Sequence, residues 1–117
     1  VVFAAAGGSS VGVFQAAKDA GRLAIGVDSN QNHLHPGTLL TSMVKRVDVA
    51  VYNAANKSTP GITVLGLKEG GVDVALDEHN ARLVTPAMKA KVDAARADIV
   101  SGKLKVTDYM AANDCKP

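Results

Sequence analysis

A chain of 117 residues with a formal net charge of +2, 47% apolar and 21% charged, has the balance of one folded domain at most and not of a disordered or strongly basic segment. No Lys/Arg cluster is dense enough for a nucleic-acid surface, and Lys45-Arg46 and the scattered Lys57, Lys68, Lys89, Lys91 and Lys103 read as solvated charges. No apolar run reaches the roughly 18 residues of a membrane-spanning helix, and the core must come from Val, Ala, Leu and Ile, because Phe3, Phe14, Tyr52 and Tyr109 are the only aromatics.

Val1 to Ala6 is an apolar run that stops at Gly7-Gly8, which predicts a strand buried on both faces, as in a parallel sheet. It opens without Met, polar lead-in or signal peptide, and reads as a fragment, a processed piece or a truncated product. Ser9 or Ser10 is expected to cap a helix to about Ala20, with Val13, Phe14, Ala17 and Ala20 on one side and Gly21 as its left-handed terminator. Leu23 to Val27 is the second buried strand, with Asp28 at its carboxyl end, completing a strand–helix–strand unit whose crossover should be right-handed.

Ser29 to Thr38 is a polar loop, and Leu39 to Val44 a third strand. Lys45 to Lys57 predicts a helix with Val47, Ala50, Val51 and Ala54 at helical spacing. After a turn at Ser58-Thr59-Pro60-Gly61, Ile62 to Leu67 predicts a fourth strand and Val72 to Leu76 a short fifth. Thr85-Pro86 starts the last helix, with Met88, Val92, Ala95 and Ile99 recurring along it and Gly102 ending it. Lys103 to Val106 is expected as an edge strand, and Asp108 to Pro117 as a tail.

Two features point to chemistry. Gly7-Gly8-Ser9-Ser10-Val11-Gly12 joins a strand to a helix, where bare backbone and unpaired N–H groups can receive an oxygen-rich ligand; it also fits a plain tight turn. Asp28 stands beyond the carboxyl end of a strand, the side on which open α/β sheets bind ligands. Its carboxylate suits the adjacent hydroxyls of a ribose, or simply the cap of the following loop. Together they approximate a dinucleotide fingerprint, but the pattern is G-G-x-x-x-G and Ser9 replaces the glycine that admits a pyrophosphate. Lys68, before Gly70-Gly71, can reach over a pocket or lie on the surface. No cofactor or metal is called for: His33 and His35 are isolated from His79, and Cys115 has neither a disulfide partner nor an evident base. Asp77-Glu78-His79 reads as a solvated turn.

The strings VVFAAAGGSSVGVFQAAKDAG, AIGVDSNQ, LTSMVKRVDVAVYNA and VLGLKEGGVDVALDEHN, in this order over about Val1 to Val106, resemble the BMP, or basic membrane lipoprotein, family of substrate-binding proteins. The family includes bacterial purine nucleoside receptors. The resemblance implies an α/β fold of the type I periplasmic-binding-protein kind, a Rossmann-like parallel sheet with flanking helices, present here in part. It implies that 1–38 is a second-lobe βαβ unit, 39–61 a return to the first lobe, and 62–117 a hinge strand, second-lobe helix and tail. Gly7, Gly8 and Ser9 would face the ligand (Ser9 where many relatives have threonine), Asp28 would bind ribose hydroxyls, and Lys45 and Lys68 would add polar contacts. The family's base-stacking aromatic belongs to the missing first lobe, and none near Gly7 is matched to it.

The implied function is nucleoside binding for an ABC importer, by a non-enzymatic, membrane-anchored lipoprotein at the cell surface or in the periplasm. Its partners would be the permease and the missing N-terminal lobe. Two other readings stand beside it: an NAD(P)-linked oxidoreductase fragment, motivated by Gly8 and Asp28, and a non-binding α/β module that pairs with itself through exposed strand edges.

Overall fold

The opening apolar run forms strand β1 (Val2–Phe3), and one 3-10 turn at Gly7–Ser9 leads into helix α1 (Ser10–Asp19), in a computed structural model that describes residues 1–57 and 60–112. Ser9 occupies the cap position but makes no capping bond: its φ of −70° and ψ of −14° continue the turn, whereas a capping residue needs extended backbone. Ser10 instead donates its hydroxyl to the Ala4 carbonyl at 2.9 Å, tying the helix start to the end of β1. The expected serine cap is therefore replaced by a buried strand-to-helix tie. At the far end Gly21, with φ +60°, places its N–H on the Lys18 carbonyl and the Arg22 N–H on the Ala17 carbonyl, which closes α1 as predicted.

β2 (Ala24–Asp28) runs parallel to β1, and β3 (Leu39–Lys45) runs parallel to β2. Helix α2 (Val47–Lys57) follows. The chain then returns to lay β4 (Val72–Val74) antiparallel on β3, for a sheet ordered β1-β2-β3-β4. α3 (Pro86–Val100) starts at Thr85, whose hydroxyl oxygen accepts the Met88 N–H at 3.2 Å, and α4 (Tyr109–Ala112) ends the described chain. The core is the seam between α1 and the sheet: Ala4, Phe14, Ala17, Ala24 and Leu39, with Val13 against it.

Several expectations are corrected. β1 lies at the sheet edge with Val2 and Phe3 exposed, because β2 is its one neighbour among the described residues. α2 begins at Val47, since Lys45 still pairs with Val72 in the ladder. Residues 62–67 form no strand: Ile62 is 97% exposed, and a β-branched run without a ladder partner stays irregular. Lys103 to Val106 is likewise irregular, and the expected tail contains α4. β4 stops at Val74. The Ser58-Thr59 part of the predicted turn and Cys115 lie outside the described residues.

Candidate functional site

β1, β2 and β3 are parallel, so their carboxyl ends share one rim of the sheet. Gly7 follows the first, Asp28 ends the second and Lys45 ends the third. The three line one open groove of about 300 Å³ together with Phe3, Ala5, Val27 and Met43. The Lys45 Nζ stands 2.6 Å from the Asp28 carboxylate, with the two side chains 59% and 53% exposed. An ion pair this open to water contributes at most about 1 kcal/mol to stability. It places an acceptor and a donor side by side at the groove mouth, both within reach of a ligand.

Among the described residues, Asp28 is the one non-glycine residue with positive φ, at +70°. The Ser29 N–H donates to the Val27 carbonyl at 2.8 Å across it, so Asp28 is the centre of a three-residue turn. That γ-turn form is rare and strained, and a carboxylate in such a backbone state costs on the order of 1–3 kcal/mol. Gly7 also has positive φ, +55°, yet a side chain there would meet no neighbouring atom; its glycine answers a conformational need, not a shortage of room.

The other predicted site residues separate from this cluster. Gly8 and Ser9 sit exposed in the 3-10 turn and do not line the groove. Lys68 is not on a strand but on the exposed turn Leu67–Gly70, held by the Gly70 N–H on the Leu67 carbonyl and the Gly71 N–H on the Gly66 carbonyl. Conversely, Phe3 was not foreseen as a groove wall. The signal was the alternation of the opening strand, which turns Phe3 and Ala5 the same way.

Behind the rim lies a polar cluster. Asn30 and Asn32 both donate to the Asp77 carboxylate, at 2.7 and 3.1 Å, and the His79 N–H donates to its other oxygen at 2.9 Å. Burial pushes the Asp77 carboxyl up, but the bonds from Asn30, the His79 N–H and Asn32 outweigh it, and its pKa lies below the ordinary value. Asn80 is buried, and its amide donates to the Leu40 and Ala75 carbonyls at 2.9 Å each. The segment is a turn with Glu78 exposed, as expected, and Asp77 and Asn80 in addition lock it to the loop at 30–32 and to β3.

A second cavity of about 310 Å³ opens between α3 and the sheet, bordered by Leu40, Val74, Met88 and Val92. There Arg96 pairs with Asp73 and holds that carboxyl below its usual range. Among the described residues no group of three or more His, Cys, Asp or Glu is placed to hold a metal ion.

Comparison with known proteins bears on the family and the fold. Residues 1–108 match the family model described as Bmp, ABC transporter substrate-binding protein PnrA-like. Basic membrane protein D of Borreliella burgdorferi is 41% identical over 88 residues, covering 68% of this chain and 26% of the relative. The ABC transporter nucleoside-binding protein BmpA of Lactococcus lactis is 33% identical over 129 aligned positions, covering 91% of this chain and 35% of the relative. A crystal structure of an ABC transporter system solute-binding protein from Aeropyrum pernix superposes with a TM-score of 0.72 at 28% identity, covering 90% of this chain and 39% of that one. The chain spans 26% and 35% of the length of the two curated relatives.

Proposed function

The chain belongs to the Bmp family of PnrA-like ABC transporter substrate-binding proteins, and from that premise we propose that it forms the C-terminal part of a two-lobed extracytoplasmic receptor that holds a purine nucleoside for an ABC importer. The observation that carries this reading is the convergence of the Gly7 turn, Asp28 and Lys45 on one groove. A sugar presents vicinal hydroxyls, which a carboxylate accepts in pairs and an ammonium can answer as donor. Phe3, 56% exposed, offers an aromatic wall beside those polar groups, as a planar base requires. The ligand is bound and released unchanged; closure of a second lobe over the groove would complete its contacts and present a surface to the permease.

The exposed apolar residues of 47–65 support the same picture. Val47, Val51 and Tyr52 on α2, with Ile62 and Val64 beyond it, have no cover among the described residues. In a two-lobed receptor this stretch packs on the other lobe, and the receptor is tethered outside the cytoplasm as a lipoprotein.

The test is calorimetric titration of the complete receptor with inosine. A hydrogen bond to a charged group contributes about 1.5–3 kcal/mol, so Asp28→Ala is expected to weaken binding at least about tenfold. Unchanged affinity would remove Asp28 from the site.

A further inference from the structure

Asp28 sits in a backbone conformation that its residue type disfavours, and its exposed partner Lys45 is too weakly coupled to hold it there. The restraint comes from behind the turn. Beyond the last β1–β2 pair, Phe3 with Ile25, the Val27 N–H donates to Gln31 Oε1 at 2.8 Å. The Gln31 N–H donates in turn to Ser42 Oγ at 3.0 Å, and the Ser42 hydroxyl donates to Asn32 Oδ1 at 2.8 Å. Ser42 and Asn32 are fully buried, and Asn32 is tied onward to Asp77. The strained turn is therefore bracketed: its first residue, Val27, and the residue three beyond its centre, Gln31, are joined by one side chain and anchored on β3.

Gly26 makes the bracket fit. A Cβ built there would lie 2.6 Å from Ser42 Oγ and 2.9 Å from Gln31 Oε1. Glycine at this point of β2 answers a close approach of side chains, since its own φ is not positive. Among the described residues no buried side-chain polar atom lacks a partner, and the buried Ser42 hydroxyl accepts one bond and donates another. A satisfied network of this kind fixes one geometry.

We propose that Gln31, through the bond from the Val27 N–H and its seat on Ser42, is the positioning residue that holds the Asp28 carboxylate aimed into the groove. This rests on the reading that Asp28 receives the ligand's hydroxyls. Gln31 does not line the groove; it acts through the turn.

The experiment compares inosine with 2′,3′-dideoxyinosine, which lacks the hydroxyls, on the complete receptor. Gln31→Leu keeps the bulk and removes the acceptor. It is expected to weaken inosine about tenfold, the worth of about 1.4 kcal/mol, while changing dideoxyinosine less than about twofold. Gln31→Glu retains an acceptor for the Val27 N–H and should restore inosine binding to within about threefold of the parent. In an Asp28→Ala background, Gln31→Leu should add less than about twofold, because the two changes act on one contact. Ser42→Ala, which removes the seat and leaves Gln31 intact, should show the same inosine-selective loss. Equal losses for both ligands, or an unchanged inosine affinity in Gln31→Leu when Asp28→Ala is weakened tenfold, would overturn the positioning role alone. An unchanged affinity in Asp28→Ala would overturn the binding reading and this inference with it.

Discussion

The segments 2–45 and 46–65 are written with similar apolar patterns and meet different fates. In the first, Phe14, Ala24 and Leu39 are fully buried between α1 and the sheet. In the second, α2 buries none of its residues, although Val47, Ala50, Val51 and Ala54 recur at helical spacing. The difference teaches that an amphipathic pattern specifies a face in need of cover, while the cover itself is a long-range matter. α2 has 11 residues, a length at which an isolated helix is marginal in water, so its stability depends on what it packs against.

The comparison can be broken first at Phe14. Phe14→Ala empties the centre of the seam and is expected to cost about 3–5 kcal/mol, read as a lowered midpoint in denaturant unfolding. A loss below about 1 kcal/mol would mean that the seam does not hold this segment together.

Acid probes the second seam, between α3 and the sheet. Asp73, beside the Arg96 guanidinium, and Asp77, held by its amide donors, both have pKa values below the ordinary range. A depressed folded pKa gives stability that is fully present above the unfolded value of about 3.9 and is lost as pH falls through the folded one. Thermal melts should therefore be flat in this contribution from neutral pH to about 5 and fall below about 4. Asp73→Asn should flatten that fall; an identical acid profile would show that the Arg96 pair does not dock α3.

The smallest effect is expected on the uncovered face. Val51→Ala in this chain should change stability by less than about 0.5 kcal/mol, as surface substitutions do. In the complete receptor the same change should cost about 1 kcal/mol or more, because the side chain is then out of water. Equal values in both would refute the packing of α2 on another lobe.

What the residues announced by themselves was local. Thr85-Pro86 capped α3 as read, and Gly21 closed α1, because each acts within one helical turn. The rim was legible in part: Gly7 and Asp28 follow from strand ends, and Lys45 entered through the family resemblance. Ile62 to Leu67 misled because strand propensity says nothing about whether a neighbour exists. The lock behind the rim was invisible because it joins Asn30 to Asp77 across 47 positions, and no window along the chain spans that distance. Phe3 was assigned to a buried strand when the sheet leaves that strand at its margin.

One detail of the topology reaches further. β3 and β4 form an antiparallel pair, Lys45 opposite Val72, and the Arg46 N–H reaches the Gly71 carbonyl at 2.8 Å. Stripped of what lies between, these two strands are an ordinary hairpin whose bend has been opened to let a long excursion out and back through a single stapled gate. Insertions within that excursion are expected to leave the β3–β4 ladder, and the groove at the end of β3, in place.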